Sequence, residues 1–209
     1  MDCLKFFPYL YKMENRYTTK MEPITRALIL TNILIFIIEL VLSSYGMESW
    51  FKPLIFDCAN ILPHQFITYQ FLHNSINHLY NNLIVLYFFG PACESFLGKT
   101  KFILLYLLFG VIAVFSHMLL SGRSDTIVGA SGSIFGIVAL FTLIEKSYLY
   151  IGERKILPIA AISFILIAME LPHIFDHDKI GHMAHMGGVV SGVITYFVFR
   201  PKKDSEFPE

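Results

Sequence analysis

Six apolar runs divide the chain, at about 24–44, 78–93, 101–120, 131–144, 156–171 and 180–199, with one long connection at 45–77. The runs are continuous rather than alternating, which predicts helices, and their lengths approach what a bilayer requires. In hydrocarbon a helix satisfies its own backbone polar groups within one segment. A spanning barrel would instead show ten-residue stretches of alternating polarity. The expected fold is an all-α membrane protein, a six-transmembrane-helix bundle forming one domain over residues 24–200. An N-terminal arm (1–23) and a short tail (201–209) flank it. No internal repeat or low-complexity tract interrupts it.

Composition strengthens the membrane reading: 55% of residues are hydrophobic, 15% are charged, and mean hydropathy is +0.59. Soluble domains rarely combine these values. Net charge is zero, so no basic excess argues for nucleic-acid binding. The distribution of charge carries more information than its sum. Thirteen of the sixteen Lys and Arg residues fall in the arm and the start of the first helix, around the second and fourth connections, and from Arg200 into the tail; Lys52, Arg123 and Lys179 fall on the opposite side. Both termini are therefore expected to be cytoplasmic. The stretch 1–21 has no small-residue cleavage site and reads as a cytosolic arm rather than a signal peptide. With no transit peptide evident either, a cell (inner) membrane of bacterial type is the expected address. Cys3, Cys58 and Cys93 match no zinc or disulfide spacing and read as free thiols.

Polar side chains at membrane depth are expensive, so each one inside an apolar run is a candidate for function. Ser131 and His185 are two such residues. From Ser131 to Ile144 is 14 residues, or about 21 Å of helix. Against a hydrocarbon core of about 30 Å, the chain before Ser131 must dip below the outer surface and place the serine about 9 Å down. From His185 to Phe199 is 15 residues, or about 22 Å. The two groups are thus expected to be level, on helices running in the same direction. Gly132 and Gly136 on one helix, and Ala184, Gly188 and Gly192 on the other, form small-residue faces that permit a close crossing. Such a crossing would bring the Ser131 hydroxyl within hydrogen-bond reach of the His185 imidazole. On the second helix His78 and Asn82, four apart, share a face at about 24 and 18 Å above the inner edge. They bracket the serine and are candidate oxyanion donors.

The segments His73-Asn-Ser-Ile-Asn-His78-Leu-Tyr-Asn-Asn82, Gly90-Pro-Ala-Cys-Glu94-Ser-Phe-Leu-Gly98, Gly129-Ala-Ser131-Gly132 and Ala184-His185-Met-Gly187-Gly188 occur in order across about 60–200. In these motifs the chain resembles the rhomboid intramembrane serine proteases. The resemblance implies that Ser131 is the nucleophile and His185 the general base, as a dyad without a carboxylate. It also implies that His78, Asn82 and the Ser131 amide hold the oxyanion, with Gly129 among the structural residues near the site. Where many relatives carry Trp-Arg in the first outer loop, this chain has His64-Gln65. Phe135 falls where some members carry a tyrosine against the catalytic histidine.

The implied reaction is acyl transfer. Neutral His185 takes the Ser131 proton as Oγ attacks a peptide carbonyl, then protonates the leaving amine and activates water. Substrates would be transmembrane helices of other proteins, cleaved near the outer end and entering beside the fifth helix, the gate that the resemblance suggests. A catalytically inactive relative that binds membrane-protein clients is the alternative, although such proteins typically lack the serine or histidine. His-Glu-x-x-His is absent, and His173, His177, His182 and His185 have no spacing that forces a closed ligand set, so neither metal nor cofactor is expected. A channel or transporter would leave the ordered Ser, His and Asn residues without a reason. Glu39 and Asn32 read as bundle-facing hydrogen-bonding groups, His73 as a structural partner at a helix entrance, Glu94 as a loop or helix-end anchor, and His117 as a residue near the outer interface.

Overall fold

A computed structural model describes residues 21–120, 126–145, 148–151, 154–170, 172 and 181–200. Most of the arm, the tail, Cys3, Arg123, His173, His177 and Lys179 lie outside the described residues. Helices α1 (Pro23–Ser44), α3 (Ile76–Leu97), α4 (Lys99–Leu120), α5 (Ser131–Ile144), α6 (Ile159–Ala168) and α7 (His182–Phe199) fall on the six apolar runs. The long connection holds strand β1 (Phe56–Asp57), the single-turn helix α2 (Gln65–Thr68) and short 3-10 turns. Strand β2 (Thr126–Ile127) precedes α5 and pairs antiparallel with β1.

Three expectations are corrected. The fold is mostly helical rather than all-α, because a second antiparallel pair, β3 (Tyr148–Ile151) with β4 (Arg154–Pro158), fills the connection between α5 and α6. The fifth helix accordingly begins at Ile159 rather than 156 and ends at Ala168. Pro158 explains the late start. A residue preceding proline is disfavoured in the helical region, so Leu157 stays extended and the helix begins after the ring. The second helix exceeds its expected 78–93, running from Ile76 past Pro91 and Glu94 to Leu97, and is capped by Gly98, whose φ of 77° suits glycine.

Of these helices, α1, α4 and α7 are long and apolar enough to cross a membrane. The 22-residue α3 matches them in length but carries Asn77, His78, Asn81, Asn82 and Glu94, while α5 and α6 are shorter apolar helices of 14 and 10 residues. Surface and interior are arranged as in a protein that sits in lipid. Leu30, Leu34, Leu40, Leu104, Phe164 and Phe197 are exposed, whereas Asn32, Gln70, Glu94 and Ser133 are buried. Around them Leu86, Phe89, Phe102, Phe109, Ile137 and Phe141 form the main apolar core.

The buried Glu94 is an anchor of a specific kind. No side chain adjacent in sequence caps the start of α1. Instead Glu94 accepts hydrogen bonds from the Ile24 and Thr25 amides at 2.9 and 2.7 Å and from the Thr25 hydroxyl at 2.9 Å. A carboxylate at a helix N-terminus meets both the unpaired amides and the positive end of the dipole. Gly90, one turn earlier, gives Thr25 the room to approach, since a Cβ there would lie 2.7 Å from its methyl group.

The close crossing of α5 and α7 organises the remainder. A Cβ added to Gly188 would overlap the Gly132 carbonyl oxygen, and one added to Gly192 would overlap the Gly136 carbonyl oxygen. These pairs ascend together along both helices, so the helices run parallel, backbone against backbone. Gly187 turns to the other side and meets Ser116 of α4.

Glu94→Ala should remove three charge-assisted bonds that hold α1 against α3. A loss of about 2–3 kcal/mol is expected, read as a lower thermal unfolding midpoint in detergent. An unchanged midpoint would show that the cap contributes nothing.

Candidate active site

The chain reaches Ser131 through a pinned approach. Phe56 and Asp57 pair with Ile127 and Thr126, and the Gly129 amide donates to the Tyr69 carbonyl at 2.9 Å. The Tyr69 hydroxyl donates in turn to the Gly110 carbonyl of α4 at 2.8 Å. Gln70, fully buried, donates to Phe66 and Leu107 carbonyls and accepts from Ser133 Oγ at 2.9 Å, tying the outer connection to both α4 and α5. Gly129 has φ of 119°, and a Cβ there would lie 2.6 Å from the His78 ring, so glycine is required both by conformation and by space. The His64-Gln65 pair secures its own loop: His64 Nε2 lies 2.7 Å from the Pro53 carbonyl oxygen, and Gln65 accepts from the Leu62 amide at 3.0 Å.

Ser131 is the first residue of α5, and its Oγ lies 2.9 Å from His185 Nε2. The opposite ring nitrogen, Nδ1, lies 2.7 Å from Glu170 Oε2, just beyond the end of α6. With Nδ1–H donating to the carboxylate, Nε2 is the acceptor facing the serine hydroxyl. Phe135, one turn along α5, stacks on the His185 ring at 4.4 Å and 18° between planes. The imidazole is thereby held on a face, at Nδ1 and at Nε2. His182 Nδ1 also lies 2.7 Å from Glu170 Oε2, so one carboxylate oxygen serves two histidines.

His78 and Asn82 face this pair from α3. Both point at Gly129, and Asn82 Nδ2 lies 3.8 Å from the position a Cβ there would take. Asn82 Nδ2 is buried and makes no hydrogen bond, a cost of about 1–3 kcal/mol for an unmet donor. At the start of α5 the first intrahelical bond is Ile134 N to Ala130 O, so the amides of Ser131, Gly132 and Ser133 have no partner within the helix. Donors from two helices thus converge beside the serine, with the positive end of α5 among them. A cavity of about 710 Å³ joins these groups to His117, Glu170 and an apolar wall that includes Val138 and Leu166. Outside the helices, burial and the neighbouring His78 imidazole push the His73 pKa down to about 4, and its ring meets His78 edge to face at 5.0 Å.

Ser131, His185, His78 and Asn82 therefore line one cavity. Gly129, Gly132 and Ala184 line it too, and Gly136, Gly188 and Gly192 form the crossing beneath. One expectation fails. The resemblance implied a dyad without a carboxylate, whereas Glu170 bonds the histidine directly. His117, in the last turn of α4, is buried and lines the same cavity. Glu170 escaped notice because it closes an apolar run and adjoins no motif. The available signal was the acid itself, since an ionisable side chain at the end of a membrane-length run marks function by default.

Comparison with known proteins agrees with the motifs. A family model described as the Rhomboid domain matches residues 63–202. "Putative rhomboid protease YdcA" of Bacillus subtilis is 31% identical over 143 residues, covering 68% of this chain and 69% of that protein. "Rhomboid-like protein 11, chloroplastic" of Arabidopsis thaliana is 32% identical over 158 residues, 69% of this chain. The matched region spans about half, 54%, of that plant protein. "Presenilin-associated rhomboid-like protein A, mitochondrial" of Danio rerio is 33% identical over 131 residues, 59% of this chain and 34% of its own.

Gly188→Ala should push α7 off α5, because its methyl group meets backbone that has no rotamer to yield. A loss of about 1–3 kcal/mol is expected. Gly181→Ala, whose Cβ would find ordinary contact with Ala184 at 3.5 Å, should stay within about 0.5 kcal/mol. Thermal midpoints in detergent compare the two; equal effects would contradict the tight crossing.

Proposed function

We propose, from the premise that this chain belongs to the rhomboid family, that it is an intramembrane serine endopeptidase cleaving transmembrane segments of other proteins. The observation that carries the reading is the 2.9 Å contact between Ser131 Oγ and His185 Nε2, made at the amide-rich start of α5 opposite the unpaired Asn82 donor. Ser131 is the nucleophile and His185 the base. As Oγ attacks a peptide carbonyl carbon, its proton passes to Nε2, and the carbonyl oxygen becomes an oxyanion. Asn82, the Ser131 amide and His78 are the donors this reading assigns to that oxygen. Collapse of the intermediate transfers the Nε2 proton to the departing amine and leaves an acyl-serine. Water, activated by the same nitrogen, then hydrolyses the ester. Glu170 keeps the proton of the resting imidazole on Nδ1 and stabilises the imidazolium as it forms. No metal or cofactor enters these steps.

Topology belongs to the same proposal. We read α1 and α3–α7 as six spans with both termini cytoplasmic, on the strength of the basic-residue distribution. A bacterial-type plasma membrane is the address we assign. The chain's standing as a membrane protein rests on its family and its apolar helices. An inactive, client-binding relative would share the fold, and the paired Ser131 and His185 weigh against that reading.

Cleavage of a transmembrane reporter in liposomes tests the assignment. Ser131→Ala and His185→Ala should each abolish turnover. Asn82→Ala should lower it by about 10² to 10³, the usual cost of one oxyanion donor. Glu170→Gln should lower it by about 10² to 10⁴, in line with loss of the carboxylate that sets a catalytic histidine's tautomer. Full activity in Ser131→Ala would overturn the proposal.

A further inference from the structure

We propose that Glu170, His182 and His185 form a binding site for a divalent transition metal, zinc by preference, and that its occupancy switches the Ser131 site off. The second half rests on the protease reading; the first half does not. His182 and His185 stand three apart on α7 and share a face. Glu170 arrives from the end of α6, so two structural elements converge on one point. Its Oε2 lies 2.7 Å from each Nδ1, and the three ligand atoms fall within 4.8 Å of one another. All three side chains are largely withdrawn from solvent, at 6%, 10% and 18% exposure.

Two imidazole nitrogens and one carboxylate oxygen make the ligand set of open zinc sites, in which a fourth position takes water. Here that water would come from the adjoining cavity. Neutral imidazole with a single carboxylate favours zinc or copper over magnesium or calcium, which prefer oxygen ligands. The histidines alone gave no reason to expect a metal; Glu170 completes the set. Around a tetrahedral metal with ligand distances of about 2.0–2.2 Å, ligand atoms stand about 3.3–3.6 Å apart, so each 2.7 Å Nδ1–Oε2 contact must open by less than about 1 Å to admit the ion. The two torsions closest to the carboxylate of Glu170 can absorb that movement.

Occupancy would change the chemistry through the tautomer. A metal on His185 Nδ1 takes the lone pair exposed when the Nδ1 proton leaves, and that proton moves through water to Nε2. The ring stays neutral and gains or loses no proton overall. Nε2 then presents N–H to Ser131 and cannot accept its proton. His182 takes no part in the proposed catalysis, so it separates metal binding from turnover.

The test uses the full chain, purified in detergent and stripped with a chelator, with Co²⁺ as a spectroscopic probe and Zn²⁺ as competitor. Wild type should bind one equivalent of Co²⁺ with the visible ligand-field absorption of a four-coordinate site, and Zn²⁺ should displace it. Reporter cleavage should fall over the same Zn²⁺ range and return on chelation. Ser131→Ala should give the wild-type Co²⁺ spectrum while remaining inactive. His182→Gln should weaken binding by at least about 10- to 100-fold, the loss that even an outer partner's removal brings. Whatever its basal rate, its cleavage should also resist Zn²⁺. Absence of the Co²⁺ band in wild type, or an unchanged band in both His182→Gln and Glu170→Gln, would overturn the site whatever the cleavage assay shows. A site that binds Co²⁺ as expected while Zn²⁺ leaves wild-type cleavage intact would overturn the switch alone.

Discussion

The distance of closest approach between α5 and α7 governs this molecule. Gly188 and Gly192 lie directly against the Gly132 and Gly136 carbonyls, so the two backbones meet with no side chain between them. In a bilayer such contact draws on van der Waals packing, because lipid tails already solvate apolar side chains as well as a protein core does. Ser131 sits one residue before the first of these glycines, and His185 three before its partner. Their 2.9 Å separation follows from the crossing. Stacking of Phe135 fixes the plane of the imidazole.

Around that crossing, the polar interior is built by long-range bonds. Gln70 and Tyr69 reach from the outer connection to α4, while Ser133 returns a bond to Gln70 from α5. Glu94 gathers the start of α1 from within α3. Each buried polar group here is expensive unless partnered. The Asn82 amide nitrogen beside the serine is buried without a partner, as are Asn32 Oδ1, the Tyr106 hydroxyl and both His73 ring nitrogens elsewhere in the bundle. Of these, Asn82 alone lines the cavity that holds Ser131, where a ligand oxygen could meet its donor.

Much of this was legible along the chain. The bounds of α5 could be read directly, since Ser131 and Glu145 mark the edges of its apolar run. The glycine faces showed as four-residue spacings, and His78 with Asn82 as one helical face. Other features were hidden for physical reasons. The β3–β4 pair depends on cross-strand hydrogen bonding that short apolar stretches do not announce, and only Pro158 hinted that α6 starts late. Glu170 and Gln70 act across 15 and 63 residues of sequence, on His185 and Ser133. Local pattern carries no record of such partners. Glu170 changes the chemistry most, because it turns a serine–histidine pair into a chain of three groups ending in a shared carboxylate oxygen.

The central claim is that Ser131 is a nucleophile made reactive by His185. A fluorophosphonate probe, which forms a covalent bond only with an activated serine, tests it without any choice of substrate. Intact mass and peptide mapping after labelling in detergent should place one adduct on Ser131 in the wild type and none in His185→Ala. Labelling that persists undiminished in His185→Ala, or that falls on Ser133 in place of Ser131, would contradict the account.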